Sequence, residues 1–234
     1  MKKIINCLTI IPARGGSKGI PMKNTKLLNG IPLINYTIEA ALNSVSKGFV
    51  LVSTDNQLIA NVAKDAGALV PFTRPAELAT DNASSIDVLI HALSHYETNN
   101  SCIVENVILL QPTSPLRNAQ DIDNAWKIYI DKKADSLQSV CEVDDHPGYM
   151  RVIKEGILHP YIDSFKPENF CRQDLTGLYK LNGAIYILKR DLAMKEKKIT
   201  GRKNVAYIMP KERSIDIDNS IDFKLVELLM QNNN

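Results

Sequence analysis

The feature that most constrains this chain is its alternation of short apolar runs, each ending in a polar turn, with longer stretches of helical periodicity. Residues 8–13 run apolar into a glycine-rich turn, 49–52 end at Ser53-Thr54-Asp55, and 107–110 end at Gln111-Pro112. Further strand-like runs cover 137–143, 182–188 and 206–209. Between them, Leu58, Ile59, Val62, Ala63 and Ala66 form one helical stripe with Gly67 as its stop. Thr54 and Gln57 have capping-box spacing at its start. Ile86, Leu89, Ile90 and Leu93 make a second stripe, and Ile122, Ala125, Trp126, Tyr129 and Ile130 a third. Pro32 is expected in the first turn of the helix that follows it, and a last helix begins near Ser220. Strands that alternate with helices predict an α/β fold, a mostly parallel sheet flanked by helices on both faces. Ligands of such sheets bind beyond the carboxyl ends of the strands, where 14–24, 53–55 and 111–117 place the polar and glycine-rich residues.

The rhythm breaks after residue 143, in a stretch that contains Pro147, Pro160 and Pro167 and no sustained helical stripe. The expected organisation is therefore an α/β body from 1–143 and 177–234, with 144–176 as an irregular insertion of short strands or loops. A net charge of +2 argues against a broad nucleic-acid surface while leaving room for a local basic pocket. No stretch approaches the ~20 apolar residues of a membrane span, and 1–16 does not read as a signal peptide. Cys7, Cys102, Cys141 and Cys171 form no Cys-x-x-Cys pair, which suits reduced thiols and a cytoplasmic location.

Two segments carry chemistry. Arg14-Gly15-Gly16-Ser17-Lys18-Gly19 follows a strand directly, and Lys23 adds a further cation. Glycines let backbone N–H groups approach a phosphate, and the cations pair with its charge. The spacing is neither a Walker loop nor the dinucleotide fingerprint, which disfavours an NAD-dependent oxidoreductase; the bland alternative is a basic surface turn. Near the other end, Ser214, Asp216 and Asp218 alternate with Ile215 and Ile217. On a strand this puts both carboxylates on one face, where hard oxygens suit Mg²⁺; alternatively Asp218 merely caps the last helix. Gln111, Thr113 and Ser114 offer donors and acceptors to a polyhydroxylated ligand, with Arg117 as a candidate anchor of their loop. His91 and His95 have zinc-pair spacing but lack the acidic partner of that motif, and they read as a solvated helix face. The lysines of 195–203 read as a solvated loop, and Trp126 and Tyr129 as core.

An ordered set of segments then carries a resemblance: 11–19, Ser53-Thr54-Asp55, 74–79, Asp81 with Ala83-Ser84-Ser85, 111–117, Arg172-Gln173, 182–186 and 214–218. Together they resemble the acylneuraminate cytidylyltransferases, or CMP-sialic acid synthetases. The resemblance implies a glycosyltransferase-A-like nucleotide-binding fold and a homodimer in which the insertion reaches the partner subunit. It also implies a Mg²⁺-dependent reaction of CTP with an acidic nine-carbon 2-keto sugar, giving a CMP-sugar and pyrophosphate for surface polysaccharide biosynthesis, with no nucleic-acid or membrane partner. Residue by residue, it makes Arg14 and Lys23 triphosphate contacts, with Gly15, Gly16, Lys18 and Asn24 beside the nucleotide. Arg74 and Ser84 would hold the cytidine, while Gln111, Thr113, Ser114, Arg172 and Asn182 would line the sugar pocket. Asp216 and Asp218 would be the metal pair, with Asp216 a candidate base directly or through bound water.

Two departures fall around the sugar. Family members place a lysine after His146-Pro147 where this chain has Gly148-Tyr149-Met150-Arg151, so either Arg151 substitutes for it or the sugar is held differently, and Gln173-Asp174-Leu175-Thr176 replaces their Gln-x-Leu-Pro. These departures leave the nine-carbon sugar open between the N-acylneuraminate and legionaminate types. A cytidylyltransferase for the eight-carbon sugar Kdo, and a non-catalytic nucleotide sensor on the same scaffold, are the competing readings.

Overall fold

The computed structural model describes residues 2–162 and 177–231. In chain order the elements are β1 (Lys3–Pro12), β2 (Leu27–Leu28), β3 (Ile31–Pro32), α1 (Leu33–Asn43), β4 (Phe49–Ser53), α2 (Gln57–Asp65), α3 (Ser85–Asn99) and β5 (Cys102–Leu110). They continue with α4 (Ala119–Asp131), β6 (Ser136–Glu142), β7 (Arg151–Lys154), β8 (Ile157–Pro160), β9 (Tyr179–Lys189), α5 (Arg190–Met194), β10 (Asn204–Ile208) and α6 (Ser220–Gln231). The central sheet has the order β10-β6-β9-β5-β1-β4. β1 is parallel to β4 and β5, and β10 is parallel to β6. β9 alone runs against its neighbours β5 and β6. The mostly parallel sheet expected from the alternation is therefore present, with one reversed strand near its centre. An antiparallel neighbour needs no helical crossover, and the described residues between β6 and β9 hold a hairpin.

Both faces are covered, as the near-continuous apolar strands demand. On one face Ile34, Ile38, Ile59, Ile122 and Tyr129 pack against Cys7, Ile11, Val52 and Ile187. On the other, Leu89, Leu93 and Leu192 pack against Leu8, Ile10, Leu109 and Leu188. Successive residues of β1 thus feed opposite layers, which is the two-residue period of a strand. A third cluster beneath α6 joins Ile20 and Leu33 to Ile217, Phe223 and Val226. Each such fully buried aliphatic or aromatic side chain contributes roughly 1.5–3 kcal/mol, so this cluster fixes the 214–218 segment against the glycine-rich turn.

Two local expectations are corrected. The α2 cap is Asn56, whose Oδ1 accepts from the Leu58 and Ile59 amides at 2.9 and 3.2 Å. Thr54 instead accepts from the Asn56 amide, two residues too early to cap the helix. Pro32 sits just before α1 in extended backbone (φ −54°, ψ 135°), outside its first turn. A reciprocal capping box does form, unforeseen, between Asn118 and Asp121 at α4. In the insertion, β7 and β8 form an antiparallel hairpin turning through Glu155 and Gly156, both left-handed, and every residue of the two strands is exposed. No helix among the described residues is long and apolar enough to cross a membrane.

Candidate active site

The carboxyl ends of β1, β4 and β5 meet the amino end of reversed β9 at one edge of the sheet. The turn after β1 is held from three sides. The Gly15 amide donates to Asp55 Oδ1 at 2.9 Å, and Asn24 Nδ2 donates to the Arg14 carbonyl at 2.9 Å. Gly19 lies so close to the acidic segment that a Cβ there would stand 2.0 Å from the Asp218 carbonyl oxygen. Only glycine permits that approach. Lys23 completes the link: its Nζ donates to the Ile217 carbonyl at 2.6 Å and lies 3.9 Å from Asp218 Oδ1. Arg74, 4% exposed, donates through Nε to Ser53 Oγ at 3.1 Å and through Nη2 to the Ser53 carbonyl. Burial pulls its guanidinium down to about 10, opposed by Asp55 and reinforced by Arg14, so it stays charged at neutral pH. Arg14, Lys18, Lys23 and Arg74 converge on a cleft of ≈ 370 Å³ that Gln111, Thr113 and Asp218 also line. A cleft of this size at a strand edge, with convergent cations, suits a polyanionic small molecule.

The acidic segment is not a strand. Residues 214–218 make no ladder; they are held by the Ile217 amide donating to the Thr113 carbonyl at 2.8 Å and by the Lys23 bond. The alternation survives: Ile217 is buried under α6 while Asp216 and Asp218 face outward. Asp218 does not cap α6. Asn219 Oδ1 accepts from the Ile221 and Asp222 amides, and Asp222 Oδ2 accepts from those of Asp218 and Asn219. The Asp218 carboxylate is thereby left to the cleft. Asp216 is open on one side, yet the surrounding walls raise its carboxyl above the ordinary value; Thr113 opposes this, the Asp218 charge adds to it, and Lys23 opposes it. Asp216 lines a second, larger groove of ≈ 1080 Å³, and Asp218 lines both spaces.

No group of three or more His, Cys, Asp or Glu side chains suited to a metal exists among the described residues. Two adjacent carboxylates nevertheless fit Mg²⁺, which takes one or two from protein and the rest from water and phosphate.

The remaining site candidates scatter more. Asn182 borders the second groove but is 4% exposed; it donates to Ser214 Oγ at 2.9 Å and accepts from Ser139 Oγ at 2.6 Å, bracing the start of the acidic segment. Gln111 and Thr113 line the cationic cleft and not the groove. Ser114 is fully buried and lines neither. Gly16 lies on the outer rim beside Lys18. Ser84 caps α3, accepting from the Asp87 amide at 3.2 Å, while its neighbours Ala83 and Ser85 face the cleft. Arg151 turns onto the Gly148 and Met150 carbonyls at 2.9 and 2.8 Å, away from both spaces. Arg172 lies outside the described residues.

Arg117 is a loop anchor, 1% exposed, donating to the Ala184 and Gln111 carbonyls at 3.1 and 3.3 Å. His91 and His95 pack against the Phe72 ring, with centroids 4.8 and 4.6 Å apart, which makes them a ring cluster and not the solvated face expected. Sequence reasoning gave no individual role to Asp55 or Asp81, and read Gly19 as part of the phosphate turn and not as the contact with Asp218. A carboxylate ending β4 and a third glycine in the turn were visible signals for Asp55 and Gly19.

These features define a nucleotide-handling α/β enzyme scaffold, and the cytidylyltransferase family model matches residues 8–233, so the chain belongs to that family. An N-acylneuraminate cytidylyltransferase of Streptococcus agalactiae serotype III is 39% identical over 92% of this chain, and one of Escherichia coli O18:K1:H7 is 39% identical over 97%. The chain spans about half the length of these curated relatives, 51% and 52%. A CMP-N,N'-diacetyllegionaminic acid synthase of Legionella pneumophila is 39% identical, with 97% of both chains covered. Among solved structures, a CMP-2-keto-3-deoxy-manno-octonic acid synthetase complexed with CTP shares the fold at a TM-score of 0.72 and 18% identity, covering 98% of this chain and 100% of that one. A 4-diphosphocytidyl-2C-methyl-D-erythritol synthase from Anaerococcus prevotii does so at 0.67 and 14%, covering 97% and 99%.

Proposed function

We propose that this protein transfers the cytidylyl group of CTP to a nine-carbon 2-keto sugar acid of the N-acylneuraminate or legionaminate type, releasing pyrophosphate. The observation that carries this reading is the joint between the two spaces: Gly19 and Lys23 press the cationic turn against the segment bearing Asp216 and Asp218. CTP would lie in the smaller cleft with its phosphates on Arg14, Lys18 and Lys23, and the sugar in the larger groove that Asp216 borders. The sugar's anomeric hydroxyl attacks the α-phosphorus, the bond to the β-phosphate breaks, and pyrophosphate leaves. Lys23 and Arg14 neutralise the charge that develops. Asp216, which borders the groove assigned to the sugar, would take the hydroxyl proton directly or through bound water. Asp216 and Asp218 would hold Mg²⁺, which when bound supplies further charge neutralisation on the phosphates.

The relatives at 39% identity named for N-acylneuraminate and diacetyllegionaminic acid support the sugar class over Kdo, whose synthetase shares the fold at 18% identity. The open β7–β8 hairpin, with Ile153 71% and Leu158 66% exposed, supports a homodimer in which the insertion packs on a second copy. Free, buried Cys7, Cys102 and Cys141 suit a reducing cytosol. Pyrophosphate release by the purified chain with CTP, Mg²⁺ and a panel of N-acetylneuraminic, legionaminic, pseudaminic and Kdo acids tests the reading. Turnover of a nine-carbon acid is expected. Turnover of Kdo alone overturns the sugar class, and no release with any acid overturns the transferase.

A further inference from the structure

The two outermost cations of the glycine-rich turn are already engaged. Arg14 Nη2 lies 2.7 Å from Asp81 Oδ1, and Lys18 Nζ lies 2.8 Å from Asp81 Oδ2. One carboxylate therefore spends one oxygen on each cation, the arrangement in which a phosphate group would bridge the same pair. Asp81 reaches them from the turn between the 3-10 turn at Ala76–Leu78 and α3, and it lines the same cleft as Lys23 and Thr113. Lys18 and then Arg14 hold its carboxyl below the ordinary aspartate range, so it is ionised wherever the enzyme works.

We propose that Asp81 is an internal stand-in for phosphate, competing with the β,γ-diphosphate of CTP for Arg14 and Lys18. The inference rests on the function proposed above and adds a specificity-determining residue to it. A ligand must carry enough negative charge to displace a carboxylate from two cations at once. The diphosphate tail of CTP and free pyrophosphate do; the single phosphate of a CMP group, bound deeper in the cleft, leaves Arg14 and Lys18 to Asp81. Asp81 thus weakens the hold on the triphosphate before reaction and refills the cation pair as pyrophosphate departs.

Asp81 has a side chain 40% exposed, and its partner Lys18 is 79% exposed, so the competition is screened and moderate. Removing it is expected to tighten CTP and pyrophosphate by about three- to tenfold, the range that exposed charge pairs allow. The test is calorimetric titration of the full chain, as wild type, Asp81→Asn and Asp81→Ala, with CTP, inorganic pyrophosphate and CMP in Mg²⁺ buffer at one ionic strength. Both variants are expected to bind CTP and pyrophosphate tighter by that factor and CMP unchanged. Variants that bind CTP and pyrophosphate no tighter than a CTP-binding wild type overturn the stand-in, as does an equal gain for CMP. A wild type that binds no CTP overturns the functional reading beneath it.

Discussion

The two spaces at the sheet edge are built in different ways. The cationic cleft is assembled from strand ends and tight turns: Gly19 against Asp218, Asn24 on the Arg14 carbonyl, Arg74 buried on Ser53. The larger groove is walled by the open start of β9, by Met150 and Pro147 beside the exposed hairpin, and by the acidic segment. Backbone contacts over-determine the first, whereas the second is set largely by side chains near the surface. Under the function proposed above, the contrast makes the half assigned to the nucleotide the preorganised one and the half assigned to the sugar the adjustable one, with Asp218 as the common wall.

The sharpest way to break that division is Asp216→Asn. Turnover is expected to fall by about 10²–10³-fold in a pyrophosphate-release assay, while CTP still binds in calorimetry. Unimpaired turnover would remove Asp216 from the chemistry, whereas a wild type that binds CTP and turns nothing over would favour the nucleotide-sensor alternative. Gly19→Ala comes next: a Cβ 2.0 Å from the Asp218 carbonyl oxygen forces the turn and the acidic segment apart. A displacement of this kind is expected to cost about tenfold or more in both CTP affinity and turnover. It should also lower stability by roughly 1–3 kcal/mol in chemical denaturation, since small-to-large changes at a tight contact strain their surroundings.

The hairpin variant Ile153→Asp with Leu158→Asp should act on the other half only. Light scattering is expected to show a shift from dimer to monomer and kinetics a raised KM for the sugar, with the CTP dissociation constant held within about twofold. An equal loss of CTP affinity would erase the distinction between the two spaces.

The smallest effect is a stability one. The folded state binds a proton at Asp216 more tightly than the unfolded chain does. Its charge therefore costs stability fully above the raised value, and the cost is gone below the ordinary 3.8. In metal-free buffer Asp216→Asn is expected to raise Tm slightly at pH 7, with the difference vanishing as pH approaches 4 in thermal scans.

Much of the nucleotide half is legible in the sequence because its parts are contiguous: a strand, then Arg14 through Lys23, with glycines marking the close approaches. The outward alternation of Asp216 and Asp218 is equally readable, although a lone backbone bond and a buried Ile217 create it where a strand was expected. The direction of β9 is not readable, since residues buried on both faces look alike whichever way a strand runs. Ser114 misleads because a small hydroxyl side chain fits a buried turn as readily as a ligand pocket. Thr54 and Asn56 are both capping types two residues apart, and only the point where β4 releases the chain decides between them. Asp81 is distant in sequence from the cations it bridges, and no local pattern announces the contact.

The reversed course of β9 has an implication for how such a protein can diversify. Since β6 leaves the sheet and β9 rejoins it at the same rim, the described residues between them are attached on the side of the larger groove. A hairpin attached at a rim can be lengthened, shortened or reshaped without threading anything through the layers below, so under the function proposed above acceptor preference can change while the cationic cleft stays as it is.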